Sequence, residues 1–192
     1  MQTFENPQQL ALWLQRHQID LAQWGQGAAK SVVDLWREVQ NAESALYAEA
    51  PLRRVRVVEL VVQQGDRQLI EAAQELVSGQ TRRRNHPPSE KMLPDEEPLA
   101  AARRCLVEEL GVDGTTDVNF PPQQVRERQE LVESISYPGL ITQFTFYQVV
   151  AQVKNLPLNE FTTTNSAHAH GDPVIAHHWC WQWLDPEHNS QD

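Results

Sequence analysis

The stretch Glu90–Val112, EKMLPDEEPLAAARRCLVEELGV, constrains this chain more than any other. Pro98 stands where a helix begins, a place where a missing N–H does no harm. Gly111 follows the last residue of the apolar period, where a left-handed cap is wanted. Leu99, Ala102, Leu106 and Leu110 recur at helical spacing and predict one buried face. Arg104, Glu108 and Glu109 fall on a neighbouring face. The reading is a tight turn followed by a helix.

The flanks divide into a helical part and a strand-rich part. Asn6-Pro7 opens a helix, with Asn as cap and Pro at the first position. Asp20 caps a short turn through Leu21 and Trp24. A second helix is expected from about Ala28 to Leu46, with Val32, Leu35, Trp36 and Val39 as its stripe. Trp13, Trp24 and Trp36 suit either a helical arm on the domain or an interface with a partner. Residues 53–63, RRVRVVELVVQ, carry the β-branched density of a strand. Gln64-Gly65-Asp66 is a turn. Residues 68–77 fit a helix or a strand. Residues 125–135, 140–153 and 177–184 read as strands, with a turn at Tyr137-Pro138-Gly139 and a polar loop over 159–173.

The central stretch resembles a Nudix box, G-x5-E-x7-R-E-U-x-E-E-x-G-U with U aliphatic. Glu96, Arg104, Leu106, Glu108, Glu109, Gly111 and Val112 match without gaps. Two positions depart: Glu90 stands for the opening Gly, and Cys105 for the first Glu of the core. The likeness extends through Trp24-Gly25, Ala29-Lys30-Ser31-Val32, Asp34-Leu35-Trp36, Ser89-Glu90-Lys91-Met92-Leu93-Pro94, Ser136-Tyr137-Pro138-Gly139-Leu140 and His178-Trp179-x-Trp181. These segments resemble a group of Nudix-like proteins of the cyanobacterial and plant type.

The resemblance implies an α/β fold, a Nudix α/β/α sandwich with a mixed β-sheet. Residues 1–50 would be a helical N-terminal extension and 51–192 the Nudix-like domain. It favours a strand over 68–77, paired with Thr81–Asn85, because Nudix domains usually reach the box through sheet. It also implies hydrolysis of a diphosphate bond with Mg²⁺ or Mn²⁺, held by carboxylates that converge at i, i+3 and i+4 on one helix. Carried over, Glu108 and Glu109 are metal ligands and, in an active enzyme, catalytic. Arg104 orients Glu108, and Glu96 is the upstream Glu. Active members commonly carry Pro-Gly-Gly-Lys where this chain has Pro88-Ser89-Glu90-Lys91. Lys91, with Arg82 and Arg84 of the basic run, is a candidate substrate contact; a solvated charged strand is the other reading of that run.

The two departures fall on the chemistry. A thiol at Cys105 is a poor Mg²⁺ ligand, and losing a general base slows a reaction by about 10² to 10⁴. Glu90 adds negative charge beside a diphosphate site and lacks the backbone freedom of Gly. The expectation is a Nudix-fold protein with a degraded metal and catalytic site. It would bind a nucleotide-type small molecule or a protein partner, with weak or no hydrolysis and no cofactor. The alternative is an active Mg²⁺-dependent pyrophosphohydrolase of nucleoside diphosphate derivatives. On the pattern alone, Cys105→Glu should create or raise hydrolysis.

A net charge of -10 argues against nucleic acid as a partner and against anionic membranes. The chain has no apolar run near the length of a membrane span and no signal peptide, so a cytoplasmic protein is expected. Two cysteines make no disulfide framework. A homodimer through the N-terminal helices is a further expectation. His168, His170, His177 and His178 invite a metal reading, and a solvated loop with strand ends is the plainer one. Trp179, Trp181 and Trp183 share a strand face.

Overall fold

The computed structural model describes residues 2–27, 29–47, 50–112, 118–122, 125–165 and 173–184. Along them run α1 (Pro7–Arg16), α2 (Val32–Gln40), β1 (Ala45–Tyr47), β2 (Leu52–Gln64), β3 (Arg67–Leu76), β4 (Thr81–His86), β5 (Ser89–Lys91), α3 (Pro98–Leu110), β6 (Val118–Asn119), β7 (Arg126–Glu133), β8 (Ile141–Val153), β9 (Phe161–Thr164) and β10 (Val174–Trp183). The class is α/β. The hydrogen-bonded strand order is β6-β8-β2-β3-β10-β9, with β4 on β3. Two compact units share the chain. Unit 1 collects Met1–Val57, Lys91–Glu96 and Glu127–Tyr147; unit 2 collects Val58–Glu90, Glu97–Arg126 and Gln148–Asp192. Among the described residues, no helix is long and apolar enough to cross a membrane.

Unit 1 holds the N-terminal helices. The Asn6 side chain accepts the Gln9 N–H at 2.9 Å and Pro7 takes the first position, so α1 starts as expected. α2 is shorter than expected. It starts after a capping box in which Ser31 and Asp34 exchange hydrogen bonds. It stops at Gln40, because Ala42 takes a positive φ of 56° that a helix cannot continue through. Leu46 is therefore not a helical residue but part of β1, opposite Arg53 of β2. Phe4, Leu10, Leu14, Leu35, Val39, Leu46, Tyr137 and Leu140 form the core with Trp24, and Trp13 and Trp36 pack against it. The Trp24 indole N–H donates to the Pro138 carbonyl at 2.9 Å, and that of Trp36 to the Phe4 carbonyl at 3.1 Å. All three tryptophans thus serve this unit's own interior.

Beside that core Glu38, 5% exposed, gathers cations. Arg53 donates to one carboxylate oxygen at 2.7 Å. Lys30 and Lys91 donate to the other at 2.9 and 2.8 Å. Ser44 adds its O–H at 2.9 Å. Every strong acceptor site of this buried carboxylate has a donor, the condition under which a buried charge is tolerated.

In unit 2, β2 turns into β3 at Gly65, whose φ of 59° suits the two-residue hairpin that pairs Gln64 with Arg67. Residues 67–76 are strand, as the hairpin reading requires, and pair with β4 on one side. On the other side β3 pairs antiparallel with β10. Phe161–Thr164, expected in a loop, is the edge strand β9 on β10. Its threonines supply β-branching without the apolar alternation by which strands are usually read. The β10 tryptophans are graded along their shared face: Trp179 is 1% exposed and Trp183 is 75% exposed.

Candidate functional site

α3 is the frame of the site in unit 2. Pro98 occupies its first turn, and Gly111 closes it in the left-handed conformation at φ 64°. Ala101, Ala102, Cys105, Leu106 and Leu110 face inward. Leu99, expected on that stripe, is 44% exposed, while Cys105 is fully buried in its stead. The position that should offer a ligand therefore looks into the core.

The two box glutamates part ways. Arg104 donates to Glu108 at 2.9 Å, one turn on, and the same guanidinium nitrogen lies 3.8 Å from Glu90. Glu109 points elsewhere: its Oε2 is 3.0 Å from His177 Nδ1. That nitrogen is also 2.6 Å from Glu71 Oε1. Glu71 Oε2 takes the Arg84 Nε–H at 3.2 Å and lies 3.8 Å from His86 Nε2. Strand β9 braces the helix end, since the Thr163 hydroxyl donates to the Glu109 carbonyl at 2.6 Å and accepts the Trp179 indole N–H at 2.8 Å.

Electrostatics follow from this geometry. Burial, and then the charges of Glu109 and Glu90, push the Cys105 thiol well above its ordinary range. It stays a neutral S–H, unsuited to hold a metal or attack a substrate. Burial pushes the Glu71 carboxyl up, but the hydrogen bond and charge of His177, with Arg84, outweigh it and hold Glu71 below the usual range. Glu71 is thus an ionised carboxylate with 3% of its side chain exposed.

The box positions do not fit Mg²⁺, which wants several hard oxygens around one point. One position is a buried thiol, one carboxylate is clasped by Arg104, and the other is drawn to His177. The remaining predicted contacts have protein partners. Arg82 bonds to the Gln74 side chain and Arg84 to Glu71. Lys91 belongs to unit 1, where it reaches Glu38 and also Glu43 at 3.1 Å. Glu96, also of unit 1, closes its own loop by accepting the Leu93 N–H at 2.8 Å. A cleft of about 540 Å³ in unit 2, lined by Gln63, Gly65, Val118, Asn119, Gln152 and Lys154 among others, includes none of the predicted site residues.

Glu71 was not among the predicted site residues, and His177 was raised as a metal candidate only beside the plainer reading of a strand end. His177, read as a solvated strand end, is 2% exposed. His168 and His170 lie outside the described residues. A signal existed in Glu71, a carboxylate inside Leu69-Ile70-Glu71-Ala72-Ala73. A charge within an apolar strand is rare unless paired.

No family model matches the chain, and no curated protein matches it. Among solved structures, one match is the solution structure of the E. coli ORF135 protein. It is 19% identical over 70% of this chain and 76% of that chain, with a TM-score of 0.35. A score that low carries no argument about fold or function.

Proposed function

We propose that the chain is a Nudix-like protein with a degraded hydrolytic site, acting by binding an anionic, nucleotide-type ligand with weak or no hydrolysis. The observation that carries this reading is Cys105, fully buried at the first ligand position of the box. The separation of Glu108 from Glu109 supports it, since neighbouring ligands must converge to hold a hard ion. Phosphate recognition would fall to β4, where Arg82 and Arg83 are exposed. A protein partner or a homodimer through the N-terminal helices has less support, because Trp13, Trp24 and Trp36 pack in or against the unit 1 core.

A second reading rests on one contact. Glu90 and Glu108 flank Arg104, so Glu90 places a carboxylate beside α3 that the Nudix pattern lacks. In an active Mg²⁺- or Mn²⁺-dependent pyrophosphohydrolase, Glu90 would replace the missing ligand at Cys105. The two readings separate in one assay. A panel of nucleoside diphosphate derivatives with Mg²⁺ should show ligand-induced thermal stabilisation and no release of monophosphate. Release at ordinary enzymatic rates, abolished by Glu90→Gln, would establish the second reading and remove the first.

A further inference from the structure

We infer that Glu71, Glu109 and His177 form a divalent-cation site for a borderline ion such as Zn²⁺ or Mn²⁺, sharing only Glu109 with the ligand set of the box. Among the described residues, these three make up a cluster whose ligand atoms all lie within 4.8 Å of one another. They come from β3, the last turn of α3 and β10. Local structure aims them together. Trp179 pairs with Glu71 and His178 with Ala73, so β3 carries an extra residue, Ala72, between those pairs. A bulge of this kind re-aims the neighbouring side chain.

Three observations favour an ion over a hydrogen-bonded core. Two carboxylates crowd one imidazole nitrogen, at 2.6 and 3.0 Å, in a site from which water is nearly removed. A single N–H has one proton to share between two carboxylates, whereas a divalent ion contacts both at once and would take over at the ring the positive charge that His177 otherwise supplies beside Arg84. Among the described residues, the other imidazole nitrogen, Nε2, is buried with no hydrogen-bond partner. Here every polar contact of the ring converges on the side where the carboxylates lie. Finally, the supports match those of metal ligands, whose outer atoms are held in turn by second partners. Arg84 occupies Glu71 Oε2 and leaves Oε1 directed at His177, while Thr163 pins the Glu109 main chain.

The donor set selects the class of ion. One imidazole with two carboxylates suits Zn²⁺ or Mn²⁺ better than Mg²⁺, which takes oxygen almost alone. Bonds of about 2.0–2.2 Å in a tetrahedron hold ligand atoms about 3.3 Å apart. Opening the His177–Glu71 contact from 2.6 Å is then a movement of less than an ångström. Glu109, with 15% of its side chain exposed against 2% for His177, marks the side from which water reaches the ion and completes its coordination.

The test uses the full chain, stripped with chelator and titrated calorimetrically with Zn²⁺, Mn²⁺ and Mg²⁺; Co²⁺ serves as a visible reporter of coordination number. One ion of Zn²⁺ or Mn²⁺ per chain is expected, with Mg²⁺ weaker. Glu71→Gln and Glu109→Gln should each weaken binding at least tenfold, and Glu5→Gln, an exposed position of unit 1, should leave it unchanged. His177→Ala empties a buried position and is open to misfolding, so Glu109→Gln, checked for native circular dichroism, is the deciding variant. Absence of a stoichiometric ion in the wild type, or undiminished binding by folded Glu109→Gln, overturns the site. Neither result depends on hydrolysis, so this inference and the proposed function fail separately.

Discussion

Arg53 and Glu38 meet at 2.7 Å within unit 1, each with 6% or less of its side chain exposed. Burial pushes the Glu38 carboxyl up, yet Arg53, Lys91 and Lys30 together overcome it and hold it well below the ordinary value of 4.5. The pair is a fixed, charged element of the interior. Removing either half strands the other.

Glu38→Gln should therefore lower stability by about 3–5 kcal/mol at neutral pH, the range for breaking a buried pair. Urea denaturation measures it. The sign of the pH effect follows from the depressed carboxyl. Glu38 contributes stability above its unfolded value near 4.5 and loses it as pH falls toward the folded one. The wild type should lose stability steeply below that point, and Glu38→Gln less so. A variant with the wild-type midpoint and acid slope would show that the network contributes nothing net.

Cys105 should be silent to thiol reagents in the native protein. It is fully buried and neutral, whereas Cys180 on β10 is partly exposed. One thiol per chain should react quickly with an aromatic disulfide reagent, and the second only at the rate of unfolding. Burial also changes what Cys105→Glu is expected to do. A carboxylate there would lie near Glu109 and Glu90 with no solvent. A loss of more than about 3 kcal/mol is expected, with no hydrolysis gained. A stable, hydrolytic Cys105→Glu would mean that the position faces the site after all.

Gly111→Ala should cost about 1 kcal/mol, read as a lower thermal midpoint. Among the described residues, no atom lies within 4 Å of the added Cβ, so the expected penalty is that of the positive φ. Gly111→Asn should cost less than Gly111→Ala, because Asn tolerates that conformation better. Equal losses for the two would point to a steric cause.

Asn6→Ala removes the side-chain acceptor of the Gln9 N–H and should cost about 1 kcal/mol. Asn6→Ser should restore most of it. Chemical denaturation of the three proteins in parallel is sufficient.

Short-range patterns foretold the local elements well. Asn6-Pro7, the valines of β2 and the Pro98 to Gly111 frame are signals written within a few residues, and α1, β2 and α3 follow them. What escaped was set at a distance. Glu71 and His177 are 106 positions apart and meet through strand pairing that no local period encodes. Arg53 reads as one basic residue in a basic strand until Glu38 is placed opposite it. The end of α2 turned on Ala42 in a backbone conformation its side chain does not favour, so its residue type held no warning. Cys105 shows the reverse case. Its helical position was legible, but not which way that face of α3 would turn.

The division of the chain has a consequence for synthesis. Unit 1 draws on residues as late as Tyr147 and unit 2 on segments from Val58 onward, with five changes of unit along the way. A ribosome releasing the N-terminal helices releases a core whose Tyr137 and Leu140 are not yet made. Neither unit can be cut out at a single point. Folding that proceeds N-terminal domain first, as it does in many larger proteins, is closed to this one until three quarters of the chain has emerged.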